Sequence, residues 1–124
     1  MKKQTFEIPI WRRWVTLVVG GDVNFILNVA KERKLSEQVF REITFDNIHF
    51  NDCGACYFCM KEGEGIIWFP AKGKISWGIY AHEFTHFVDF LSNYVGMETE
   101  MEARAYTVEW LIDNVPQMVN KLRK

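Results

Sequence analysis

The sequence predicts one α+β domain, in which a small mixed sheet is backed by an N-terminal helix and followed by two longer helices. Three observations lead there. The 124 residues suit a single domain with one core. Runs rich in β-branched and aromatic residues, each of strand length, alternate with stretches of helical periodicity. No internal repeat, linker-like segment or biased tract divides the chain, so residues 1–124 read as one unit.

The elements follow in chain order. Trp11 to Gly20 reads as a strand that stops at Gly20-Gly21-Asp22. Asp22 is suited to cap a helix in which Val23, Ile26, Leu27 and Ala30 form an apolar stripe, with Asn24, Asn28 and Lys31 on the polar side. Between Ser36 and Phe50, SEQVFREI suits a short helix and ITFDNIHF alternates like a strand. Asn51 to Gly54 is a turn, and Ala55–Lys61 and Ile66–Phe69 form a hairpin across the glycine-bearing turn at Glu62 to Gly65. Pro70 ends the hairpin, and a long helix is expected from Ile75 or Ser76 to about Tyr94. After Gly96, Glu98 to Ile112 forms a second helix, with Met101, Ala105, Val108 and Leu111 as one possible core stripe. Pro116 is expected to interrupt or kink it before a last helical turn bearing Met118, Val119 and Leu122.

Composition narrows the function. Fifteen Lys and Arg against sixteen Asp and Glu leave a formal charge of -1, so there is no cationic field to hold a nucleic-acid backbone, and no recognition motif for one is present. No run approaches the roughly 18 apolar residues of a membrane span. The first apolar stretch is preceded by Arg12 and Arg13, unlike a signal peptide, and the three cysteines are an odd number; together these lead us to expect a cytoplasmic protein.

The chemistry is concentrated in His82-Glu83-Phe84-Thr85-His86. On a helix, residues four apart stand one turn apart on one face, so His82 and His86 can share a metal ion. Glu83 lies beside that face, where a carboxylate can take a proton from an activated water, as the HExxH arrangement requires. For this composition a chance match has a probability on the order of one in a hundred. A catalytic zinc takes three protein ligands. A HExxHxxGxxH extension is absent, because positions 89 and 92 hold Asp89 and Ser92, so the third ligand must come from elsewhere. A glutamate of the following helix is the natural source, and Glu98, Glu102 and Glu109 share one side of it, with Glu98 close to the turn. Asp89, on the histidine stripe, is placed to hydrogen-bond a ligand's second nitrogen or a nearby backbone group.

HEFTHFVD followed by a helix reading Glu102-Ala103-Arg104-Ala105-Tyr106 resembles the gluzincin branch of the zincin metallopeptidases, in particular small phage-type and minigluzincin-like proteins. The specific motifs cover about twenty-five residues, although the order of elements is similar along most of the chain. The resemblance implies a zincin-like α+β fold, one Zn2+ per chain held by His82, His86 and Glu102, and Glu83 as general base. It also implies that Glu64 to Pro70 is the edge strand bordering the cleft. A peptide or protein would be the substrate, and nucleic acid and membrane would not be partners. The small size motivates a rival expectation: a catalytically inactive zincin-fold protein that keeps a structural zinc and binds a protein partner.

Other residues carry weaker signals. Cys53, Cys56 and Cys59, with His49 nearby, invite a second metal site, but on a strand Cys56 and Cys59 point to opposite faces, so they read as small hydrophobes. Tyr80, Tyr94 and Tyr106 are candidate oxyanion donors, and the sequence does not choose among them. Trp68, Phe69 and Trp77 read as core residues rather than as the wall of a substrate groove.

Overall fold

The computed structural model describes residues 2–9, 11–21, 23–32, 56–59, 65–96 and 99–124. Among these, β1 (Lys2–Ile8), β2 (Arg13–Val19), α1 (Val23–Glu32), β3 (Cys56–Cys59), β4 (Gly65–Phe69), α2 (Trp77–Tyr94) and α3 (Met101–Arg123) follow in order. The strands form one mixed sheet in the order β1-β2-β4-β3. β1 pairs antiparallel with β2 from Lys2↔Val19 to Ile8↔Arg13, β2 runs parallel to β4, and β4 is antiparallel to β3.

The hairpin expected on either side of Glu62 is present as β3 and β4. β4 is not the edge strand, however. It lies between β2 and β3, and all five of its residues are buried, as suits a continuous apolar run covered on both faces. Among the described residues the outer strands are β1 and β3. β1 was not expected, because only Phe6 and Ile8 of its seven residues are buried, and two alternating apolar positions are a weak strand signal.

Alternation along β2 divides the core. Val15, Leu17 and Val19 face one side with Ile67 and Phe69 of β4, against Tyr80, Phe84 and Leu91 of α2 and Leu111, Val115 and Val119 of α3. Thr16 and Val18 face the other side, where Thr5 and Thr16 share a 3.1 Å hydroxyl hydrogen bond. Lys3, directly opposite Val18, pairs with Glu32 at the end of α1, which places that helix on this second face. Ile26, Val29 and Ala30 are its buried stripe. Gly20 has a φ of 74°, open to glycine at little cost, and this turn brings its N–H to the Phe69 carbonyl at 2.9 Å and its carbonyl to Trp68 Nε1 at 2.9 Å.

Three further expectations change. α3 runs unbroken through Pro116, which is buried in it. Its core stripe is Thr107, Leu111, Val115 and Val119, whereas Met101 and Ala105 are exposed. Two spacings compete on this helix, and the choice goes to the one carrying Thr107, whose hydroxyl is satisfied by donating to the Ala103 carbonyl at 2.7 Å and accepting from Trp11 Nε1. Trp77 is 65% exposed, unlike Trp68 and Phe69, which are core residues. Asp22 as a helix cap, the segment Ser36 to Phe50, His49 and Cys53 lie outside the described residues, as do the side chains of Cys56 and Cys59.

Candidate metal centre on α2

α2 begins where the sequence predicts. Ser76 is extended at φ -73°, ψ 157°, and its Oγ accepts the Ile79 N–H at 3.2 Å, satisfying a donor that the first turn would otherwise leave free. The loop before it is tied to the far end of α3: Arg123 donates to the carbonyls of Ala71 at 3.0 Å and Gly73 at 2.6 Å. At the other end Gly96, with φ 72°, donates its N–H to the Asn93 carbonyl at 3.2 Å and closes the helix with a left-handed residue.

Within this frame the core side of α2 carries Tyr80, Phe84, Phe87, Val88 and Leu91, and the turn between them presents His82 and His86 to solvent. Their Nε2 atoms are 3.1 Å apart and the rings meet edge to face. One imidazole therefore donates through Nε2–H and the other accepts through its lone pair. A shared cation would take a lone pair from each, which needs the donor's proton moved to Nδ1. Two ligands at about 2.05 Å on a tetrahedral zinc stand about 3.3 Å apart, so the spacing of this pair fits one zinc ion.

Glu83, between the histidines in sequence, is buried at 7% exposure. Burial pushes its carboxyl above the ordinary range, and the field of His82 offsets part of that rise. Tyr80, one turn before Phe84, is also buried, which raises its hydroxyl against the opposing field of Arg123. Tyr94 and Tyr106 are exposed, and the Arg13 guanidinium lies 5.5 Å from the Tyr94 ring centroid.

Glu102 is exposed in the first turn of α3. Asp89, on the histidine stripe, is ion-paired with Arg104 of α3, and near the opposite ends Tyr80 feels Arg123, so the two helices run antiparallel. Glu102 is two positions before Arg104, so its side chain leaves the helix about 160° around the axis from that of Arg104, which meets Asp89. Thus His82, Glu83 and His86 come together on α2, whereas Glu102 is carried by the first turn of the neighbouring helix. Among the described residues, no group of three or more His, Cys, Asp or Glu side chains is arranged to hold a metal ion. The Asp89–Arg104 pair escaped the sequence reading, although opposite charges on adjacent helices were the signal for it. Glu109 is likewise exposed on α3.

No helix among the described residues is long and apolar enough to cross a membrane. Comparison of the chain with protein-family models, curated proteins and solved structures gives no match.

Proposed function

We propose that this chain is a small zinc-dependent metallopeptidase of gluzincin type, in which His82 and His86 hold the ion, Glu102 completes its protein ligands and Glu83 is the general base. The observation that carries the reading is the 3.1 Å separation of two exposed Nε2 atoms beside a buried carboxylate. A zinc ion held there would polarise the scissile carbonyl and acidify the attacking water. Glu83 takes the proton from that water and returns it to the leaving amine. Its raised affinity for protons suits both halves of that transfer. A substrate peptide would lie extended along the outer edge of β3, which packs beside α2, rather than along the enclosed β4.

The exposed position of Glu102 favours a second reading, a catalytically inactive zincin-fold protein with a structural zinc and a protein partner. Metal content per chain separates the cases, measured on untagged protein purified without added metal. The peptidase reading expects about one zinc in the wild type and much less in His82→Ala and Glu102→Ala. Glu83→Gln should keep the zinc and lose at least about 100-fold in turnover. A wild type that holds no zinc under conditions that do not strip it would sink the first reading. Zinc that survives chelation without binding a hydroxamate inhibitor would select the second.

A further inference from the structure

We infer that the end of the molecule where α2 begins and α3 finishes is a docking surface for an anionic phospholipid membrane, with Lys72, Lys74, Lys121, Arg123 and Lys124 as its cations and Trp77 as its interfacial side chain. The inference uses a different part of the chain from the histidine pair and does not depend on the peptidase reading. Arg123 assembles the surface: it donates to the carbonyls of Ala71 and Gly73, which brings the last turn of α3, with Lys121 and Lys124, against the loop that carries Lys72 and Lys74. All four lysines are exposed, and among the described residues none of them is ion-paired. The described acids nearest to this end along the two helices are Glu83, six positions after Trp77 and buried, and Asp113, ten positions before Arg123. At the other end of the antiparallel pair stand Glu100 and Glu102, both exposed. The formal charge of -1 averages over the two ends, which is why composition led away from a membrane partner. Complementing the negative end of the α3 dipole accounts for Lys121 and Arg123. It does not account for Lys72 and Lys74, which precede the positive end of α2, where further positive charge is unfavourable. Trp77 opens α2 at 65% exposure, its ring 5.8 Å from that of the buried Tyr80. An exposed indole beside a cluster of cations matches the headgroup layer, which takes up tryptophan and holds basic clusters reversibly. A nucleic-acid strand would call for successive aromatics on which to stack its bases, and Trp77 is the only exposed aromatic residue at this end among the described residues.

The test is co-sedimentation of the full chain with vesicles of phosphatidylcholine alone and of phosphatidylcholine mixed with phosphatidylserine. The chain should bind the mixed vesicles, leave the neutral ones, and be released by salt. Lys72→Gln and Lys121→Gln should each weaken binding about fivefold, and the double variant about 25-fold, with melting temperatures unchanged because both side chains are exposed. The mixed vesicles should shift the tryptophan emission to the blue, and Trp77→Phe should remove that shift. Arg12→Gln deletes the same charge from an exposed position before β2, at the far end of that strand from Gly20 and the loop after β4, and should change binding less than about twofold. No binding to the mixed vesicles overturns the inference. So does an Arg12→Gln loss equal to that of Lys72→Gln, which would make net charge the cause, or a single-stranded oligonucleotide bound more tightly than the mixed vesicles, which would make nucleic acid the partner. His82→Ala should bind the mixed vesicles as the wild type does, whatever its zinc content, so this inference and the peptidase reading fail separately.

Discussion

α2 and α3 lie side by side on one face of the sheet, yet they hold their functional residues in different ways. In α2 the histidines stand mid-helix, with Tyr80 before them, Phe84 between them and Phe87 and Leu91 after them, all buried. A capped N-terminus precedes this stretch. In α3 Glu102 stands at an uncapped end, before the buried stripe begins. A side chain flanked by core anchors inherits their order, because moving it means opening the core. One at a helix end is ordered only by what its own turn can bond. Half of the proposed site is therefore preorganised by packing, whereas Glu102 stands in the turn before the buried stripe, two positions from Arg104, which is ion-paired with Asp89.

Removing an anchor should have the largest effect. Phe84 is fully buried between the histidines, so Phe84→Ala should cost about 3 to 5 kcal/mol in chemical denaturation. A cost below about 1 kcal/mol would show that packing does not hold this part of α2.

Next comes Glu83→Gln in the metal-free protein. The folded chain raises the Glu83 carboxyl above its ordinary value, so folding favours the protonated form. The cost of the charged form is present in full above the folded pKa and fades as the pH falls through it toward the unfolded value. Glu83→Gln should therefore be the more stable protein at neutral pH, with the difference shrinking on acidification. A difference that stays constant across that window in thermal melts would remove burial as the cause.

The smallest effect sharpens the comparison directly. Ser76→Ala should destabilise by about 1 kcal/mol and speed amide exchange in the first turn of α2. Glu100→Ala, at the corresponding position of α3, should change stability by less than about 0.5 kcal/mol, since no capping bond is lost. Equal costs at the two positions would abolish the contrast between the helix ends.

Much of this arrangement was legible beforehand, for identifiable reasons. The hairpin, α1 and α2 follow from local signals: glycines at turns, the proline that ends the hairpin and apolar residues at helical spacing. The His82–His86 pair was legible because a helix converts a spacing of four into a distance. β1 was not, since its strand character comes from pairing with β2 and only two of its side chains enter the core. The phase of α3 was legible only in part: Leu111 is buried and Val108 packs against the core as the possible stripe had it, but Met101 and Ala105 are exposed and the stripe runs through Thr107, Val115 and Val119 instead. The deciding residue was the polar Thr107, whose partner Trp11 is 96 residues away along the chain.

What the sequence by itself determined is the chemistry on α2: two imidazoles and a carboxylate within five residues, their relation set by the helix that their neighbours dictate. The tertiary structure alone decided the order of the described strands, with β4 enclosed between β2 and β3, and the face that α3 turns toward α2. Those depend on contacts between residues far apart in the chain, where no local periodicity can select among the ways two apolar surfaces might meet. The relation of Glu102 to the histidines belongs to this second class, because it depends on how α3 is set against α2 and not on the spacing of the glutamates along the chain.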